Sequence, residues 1–501
     1  MTVYVYLWFD IEDYVTKESD GLVLNALEIL RKYRVPVTCK VVAEKARALL
    51  TNGRRDVIDA ISGCDVGYHT NTHSRHPTVY EYIAKKNVLE GAEDFYAREG
   101  AGLKLVKRTF KTEPSCFGHP GKSWAPHYYP ALKKMGIPVY LDETPILDTN
   151  GAPYWYCGIL NLNATTANFI LFDRTFEDAR GISKVKAQFK RMHTRLNVTG
   201  GVVSILFHLH TTINKKFWDE VNFGGGKNRS PREYIRPPAQ PGHVTERAWK
   251  DFDEFVRYIS SFEDVRFITA RDAIRMYKRP SHVEVDLDVL KVLARGSRRR
   301  IDVMQVGGYT YSPAQVFSAV AIALREYERT GHVPGNLMVR EPLGPMEPWG
   351  SEFRADRRIP RQQFLEACAW AADSVEAKGY MPSHIAIARG ARLAPADFLA
   401  TASSVLSDLL RTGSMPAEVR LAKGTFLGTR YVSEEGFRFA CKWSVLPPRF
   451  RAPAILEQIK LQTWTLVPAG TPEPLPSART KSSDDLPSSV PIAPSERWKR
   501  V

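Results

Sequence analysis

Two histidines four residues apart, His69 and His73, sit in the stretch D-V-G-Y-H-T-N-T-H-S-R-H-P from Asp65 to Pro77, and His76 follows three residues later. A chain with 12 histidines among 501 residues thus places three of them within eight positions. On a helical turn, side chains at i and i+4 share a face, so both imidazoles can hold one cation. Two neutral imidazoles and one carboxylate leave positions open for water and substrate, as a catalytic divalent ion requires. His76, directly before Pro77, reads as a supporting or turn residue. Carboxylates are available in Phe9-Asp10-Ile11-Glu12-Asp13-Tyr14, where three acids follow an apolar run. A third group, Leu206-Phe207-His208-Leu209-His210-Thr211, ends another apolar run. Strand alternation points His208 and His210 to one side and Phe207 and Leu209 to the other.

These groups need a scaffold that gathers strand ends. Val3 to Phe9 reads as a buried strand, Leu22 to Tyr33 as an amphipathic helix, Val35 to Val42 as a strand and Ala43 to Leu50 as the start of a helix. Gly136 to Leu141, Gly201 to Phe207 and Val265 to Ile268 continue the alternation, and a last helix runs through Tyr277. Repeated β/α units predict a parallel, barrel-like core whose strand ends carry the chemistry.

The order of these motifs resembles the polysaccharide deacetylases of carbohydrate esterase family 4, metal-dependent enzymes that remove N-acetyl groups from glycans. The residues that carry the likeness are Phe9-Asp10-Ile-Glu-Asp13, His69-Thr-Asn-Thr-His73 and Leu206-Phe-His208, with Val37 to Lys45 and Phe267 to Ala273 similar to the family's second strand and final strand-to-helix turn. The resemblance covers residues 1–280 and implies a distorted parallel (β/α) barrel. It implies Asp10 as the base, His69 and His73 as ligands, and His208, with His210 as the alternative, as the acid. It leaves open whether Glu12 or Asp13 completes the metal site, because the first motif has one extra residue between its acids. It implies a divalent metal, with zinc expected and cobalt or nickel as alternatives. The family's R-x-P-Y loop corresponds to Gly118-His119-Pro120-Gly121, so the arginine that would orient the base is missing and His119 is its candidate substitute. His119, Pro120, Gly121 and Trp124 are the candidate substrate-binding residues, and backbone N–H groups between Gly118 and Trp124 would face the oxyanion. No clear D-x-x-D-W motif is present, with Asp142 and Asp148 as weak stand-ins. The implied reaction is removal of an N-acetyl group from an amino sugar in a glycan or glycoconjugate. The alternatives are a deacetylase-like amidase on a non-sugar amide, and a non-catalytic glycan- or cell-wall-binding protein with a degenerate deacetylase domain.

Past Ser281 the texture changes. Three segments, Ser312 to Pro334, Ile359 to Pro382 and Ala394 to Pro416, share a Pro, a nearby Phe, an Ala-rich stretch, a Gly and a second Pro, with paired prolines 21, 22 and 21 residues apart. Pro suits the first helical turn and Gly the C-terminus, which predicts one capped helix and a short extended segment per unit. The repeats are faintly similar to pseudomurein-binding repeats, which implies a cell-wall polymer partner. The expected organisation is a catalytic domain at 1–280, a basic linker at 281–304, a repeat-containing binding or interaction domain at 305–468 and a disordered tail at 469–501. Tyr154-Trp155-Tyr156 reads as a packed aromatic cluster in preference to a sugar platform. Asn222 to Arg229 follows no strand and is no dinucleotide fingerprint, so it reads as a loop or a lid.

The net charge of +15 favours anionic partners, and Arg295-Gly-Ser-Arg-Arg-Arg300 concentrates part of it. No nucleic-acid module accompanies that charge, so nucleic acid is not expected. The six cysteines lack C-x-x-C spacing and read as reduced thiols. With no export signal and no apolar run of spanning length, the expected location is cytoplasmic.

Overall fold

A computed structural model describes residues 1–351, 357–387 and 391–473. Its scaffold is a curled, mostly parallel sheet built from β1 (Val3–Ile11), β2 (Thr38–Val41), β3 (Asp65–Tyr68), β4 (Cys116–Phe117), β5 (Val139–Glu143), β6 (Tyr154–Tyr156), β7 (Ile159–Ala164), β8 (Phe169–Leu171), β9 (Gly201–Phe207) and β10 (Val265–Phe267). The order is β6-β7-β5-β4-β3-β2-β1-β9-β8, with β10 alongside the start of β1. Among these ten strands all neighbours pair in parallel except β6 with β7. Among the described residues no ladder joins β8 to the far edge, so this is the expected distorted parallel (β/α) barrel, left open.

Alternation along β1 assigns its side chains. Val3, Val5, Leu7, Phe9 and Ile11 enter the large core shared with the surrounding helices, while Tyr6 and Trp8 enter a second core with Leu141, Leu162 and Leu206 of neighbouring strands. Both faces are therefore buried, and the strand reads as a continuous apolar run. Asp10 lies on the side of Tyr6 and Trp8, and the register sets it opposite Lys40 of β2. Glu12, just past the strand, shares that parity; Asp13 does not.

The three proline-to-glycine units each form an 18-residue helix: Pro313–Thr330, Arg361–Lys378 and Pro395–Thr412. Each ends at a glycine with positive φ, Gly331, Gly379 and Gly413, the left-handed cap that glycine adopts without steric cost. Pro313 and Pro395 occupy the first turn, whereas Pro360 is the N-cap of its helix.

Two boundaries depart from the sequence reading. The stretch read as a basic linker, 281–304, carries the strand His282–Asp286 and the helix Leu287–Gly296, and Leu290 and Leu293 are buried in the core of the helical unit. Their apolar spacing was masked by the surrounding arginines. At the other end, Phe437, Leu446, Ile455, Ile459 and Leu466 join the barrel core rather than the repeat core, and Val467–Pro468 pairs antiparallel with β6. The tail read as beginning at 469 is described as far as Glu473, which pairs with Lys278 at 2.5 Å; residues 474–501 lie outside the described residues. No helix among the described residues is long and apolar enough to cross a membrane.

If the 437–466 segment is integral to the barrel, Phe437→Ala, which empties a site only 5% exposed, costs about 3–5 kcal/mol. Urea unfolding monitored on the full chain reads this as a lowered midpoint, and an unchanged midpoint contradicts the assignment.

Candidate metal and catalytic site

The C-terminal ends of the parallel strands converge on a cleft of ≈ 340 Å³ lined by Asp10, Glu12, His69, His73, Asp142 and His208, among others. This is the rim where α/β barrels carry their reactive groups.

His69 and His73 are not on a helix. They flank a turn in which Thr70 and His73 both take positive φ, 67° and 57°, a conformation costly for non-glycine residues and retained where the surroundings enforce it. The carbonyl of Gly118 accepts from His69 Nδ1 at 3.0 Å. Because a carbonyl cannot donate, Nδ1 carries the proton and Nε2 presents its lone pair. Ser74 Oγ donates to Asp219 at 2.9 Å and lies 2.6 Å from His73 Nδ1, so His73 Nδ1–H donates to Ser74 and its Nε2 is likewise left with a lone pair.

Both lone pairs face one carboxylate. Glu12 Oε2 is 2.9 Å from His73 Nε2 and 3.4 Å from His69 Nε2, and its Oε1 accepts from Trp218 Nε1 at 3.2 Å. Glu12, His69 and His73 are buried, and His73 Nε2 has no hydrogen-bond partner. Three buried acceptors packed together are stabilised by a cation or a proton between them. Burial alone would raise Glu12; the facing imidazoles, when protonated, outweigh it and hold its carboxyl well below the usual range. Burial likewise opposes charge on His73, yet Glu12 and Asp219 raise its pKa, which is the same appetite for a cation expressed toward a proton. The donor set, two imidazoles and one carboxylate with partners that orient each ring, fits a divalent ion.

Asp13, the alternative ligand, points elsewhere. Its Oδ1 accepts the N–H groups of Val15 and Thr16 at 3.0 and 2.9 Å, and its Oδ2 accepts from Asn214. It shapes the turn after β1. His76 has both ring nitrogens bonded, to Glu81 and the carbonyl of Phe223.

Asp10 lies beside this trio and is joined to Lys40, whose Nζ is 3.1 Å from Asp10 Oδ1 and 2.5 Å from Asp142 Oδ2. Lys40 is fully buried. Burial pushes both carboxyls up, but His69 and Lys40 overcome it at Asp10 and hold that carboxyl ionised, whereas Asp142 stays raised, to about 6. The cation beside Asp10 is therefore Lys40, not His119. His119 is buried neutral, its pKa driven down by burial and by Lys40, and its Nδ1 bonds to Tyr140. A Cβ at Gly118 would stand 2.2 Å from Lys40 Nζ and 2.4 Å from Asp142 Oδ2, so glycine there leaves room for the pair. A lysine inside the apolar strand V-T-C-K-V-V was the available sequence signal.

His208 lies next to Asp10. Asp173 Oδ2 accepts from its Nδ1 at 2.6 Å and Asp173 Oδ1 from its backbone N–H at 2.8 Å, while Nε2 faces Asp10 Oδ2 at 3.4 Å. Burial disfavours the imidazolium, but Asp173, Asp10 and Glu12 raise its pKa well above the ordinary value. Burial instead drives His210 down to about 3, and with its Nδ1 3.8 Å from Glu12 it is neutral and poorly placed to give up a proton.

The candidate binding loop splits. His119 and Gly121 line the cleft, while Pro120 and Trp124 do not. Trp124 is fully buried, donates to Tyr129 Oη at 2.9 Å and packs against Tyr156, so it and the fully or nearly fully buried Tyr154, Trp155 and Tyr156 are core. The indole that reaches the cleft is Trp443, from the C-terminal segment. Its position far along the chain hid it from motif reading. Gly121 has φ 58°, and a Cβ there would meet the Trp443 ring at 2.2 Å.

Replacing Lys40 by Met leaves two buried carboxylates without their shared cation and costs about 3–5 kcal/mol. Adding Asp142→Leu removes one of those charges and recovers part of the loss. Urea midpoints of the two variants read both effects, and a Lys40→Met protein as stable as the parent contradicts the shared-cation description.

No protein-family model and no curated protein matches the sequence. Solved structures are similar over about half of the chain. A polysaccharide deacetylase from Mycobacterium smegmatis is 14% identical, covering 53% of this chain and 86% of its own, at TM-score 0.34. The allantoinase PuuE is 13% identical over 54% of this chain and 88% of its own, at TM-score 0.35. A family 4 carbohydrate esterase from Streptomyces lividans, solved with acetate, is 14% identical over 51% and 89%, at TM-score 0.28.

Proposed function

We propose that the chain is a metal-dependent amidohydrolase that removes an N-acetyl group from an amino sugar in a glycan or glycoconjugate. The observation that carries this reading is the convergence of the His69 and His73 lone pairs on Glu12, with Asp10 and the His208–Asp173 pair beside them. The motif order described above adds the acetylated sugar as the substrate class.

A divalent ion held by Glu12, His69 and His73, with zinc the expected occupant, would polarise the amide carbonyl and lower the pKa of water. Asp10, kept ionised by Lys40, takes the proton of the attacking water. The water oxygen forms the new bond to the carbonyl carbon, the C–N bond breaks, and His208 Nε2 delivers a proton to the departing nitrogen. The products are acetate and the free amine. Asp173 holds the His208 ring with Nε2 facing the cleft and favours its protonated form.

The test is acetate release from N-acetylated chitin oligomers, with cyclic amides as competitors. Asp10→Asn lowers kcat by about 10²–10⁴-fold. His208 acts in its protonated form, so activity is lost as pH rises through its raised pKa. Asp173→Asn removes the largest raising charge and moves the basic limb of the kcat/KM profile to lower pH. Turnover of cyclic amides without acetate release from the sugars, or binding with no turnover of either, counts against the reading.

A further inference from the structure

The catalytic cleft does not end at its own rim. Trp443 and Ser444 line both it and a second, larger groove of ≈ 820 Å³ walled entirely by the segment 437–456 and Gly225. The segment is fixed in place. Gly225 and Gly226 donate to the carbonyls of Ser444 and Val445 at 2.9 and 3.0 Å, and Phe450 stacks on Tyr80 with ring centroids 6.3 Å apart.

The chemistry of the two compartments differs. The cleft is lined by seven carboxylates, Asp10, Glu12, Asp142, Glu143, Asp173, Asp219 and Glu220, with Lys122 and Arg174 as part-exposed cations, Lys122 being paired with Glu143 at 2.9 Å. The groove is lined by Arg438, Lys442, Arg449 and Arg451 and by no acid. All four cations are exposed. Among the described residues, Lys442, Arg449 and Arg451 make no ion pair, and Arg438 meets only Glu434, at 3.8 Å. Unneutralised charge of one sign along a groove attracts a ligand of the other sign. The part-exposed faces of Trp443 and Phe450 add flat apolar surface on which a ring can lie.

From this juxtaposition we propose that the groove binds the continuation of the substrate chain, and that this chain is an anionic glycan in which a neutral N-acetylated residue enters the cleft and acidic residues lie in the groove. The proposal rests on the deacetylase reading of the cleft and deepens it. A polymer charged at every residue, such as a nucleic acid, would bring phosphates against seven carboxylates, whereas alternating neutral and acidic sugars match both compartments. Trp443, at their junction, is a positioning residue.

The experiment compares a hexasaccharide of hyaluronan, which alternates N-acetylglucosamine with glucuronate, with a chitin hexamer and a single-stranded DNA hexamer. Direct binding is measured by titration calorimetry at low and high salt, and acetate release is followed for the two glycans. The variant is Lys442→Glu, Arg449→Glu, Arg451→Glu, with circular dichroism and urea midpoint as checks that it folds as the parent does. The parent is expected to bind hyaluronan more tightly than chitin, and the triple variant to weaken it about tenfold, as loss of three partly screened contacts implies. The ratio of kcat/KM for the two glycans falls with it, and added salt has the same effect. Equal binding of the two glycans, or hyaluronan binding untouched by the triple variant and by salt, overturns the proposal, as does tighter binding of the DNA. If hyaluronan binds through the groove but neither glycan releases acetate, the groove stands and the deacetylase reading falls. If both glycans are deacetylated with no contribution from the groove, the reverse holds.

Discussion

Three buried acceptors that face one another constrain this site. Glu12, 2.9 Å from one imidazole nitrogen and 3.4 Å from another, is stabilised there by positive charge among them, a metal ion or a proton, because each group presents a lone pair and is buried. The proton positions that create this conflict are set outside the trio, by the Gly118 carbonyl and by the Ser74 hydroxyl that Asp219 engages. The turn that carries His73 at positive φ is the backbone cost of aiming it.

The neighbouring charges follow from the same burial. Asp10 can remain ionised at the bottom of the cleft only with a cation beside it, and Lys40 supplies it from the adjacent strand. Lys40 in turn is held by a second carboxylate, Asp142, so one buried lysine serves two acids whose protons are held unequally. His208 is balanced in the same manner by Asp173. The site therefore pairs Asp10 and His208 with oppositely charged partners from other strands and loops, which ties its electrostatics to the register of the sheet.

Much of this was legible in the sequence, for identifiable reasons. The continuous apolar run of β1 and the capped repeat helices follow from local periodicity and from Pro and Gly at helix ends. Asp10, His69, His73 and His208 stand out as rare polar residues at the ends of apolar runs. The choice between Glu12 and Asp13 was open in the motif; in the structure Glu12, which shares strand parity with Asp10, is the one that lies beside the two imidazoles. Lys40, Asp173 and Trp443 went unread because their importance comes from pairing across the sheet or across hundreds of residues. The extent of the C-terminal segment was likewise hidden: Phe437 and Ile455 look like any apolar helix residues until the barrel supplies the surface they cover.

The site is arranged to hold one divalent ion on Glu12, His69 and His73. Elemental analysis of the purified chain, alongside the His69→Ala, His73→Ala double variant, tests this without reference to any substrate. The expected result is about one zinc, cobalt or nickel ion per chain in the parent and none in the variant. A parent that binds no metal even after reconstitution, or a variant that keeps the same metal, would contradict it.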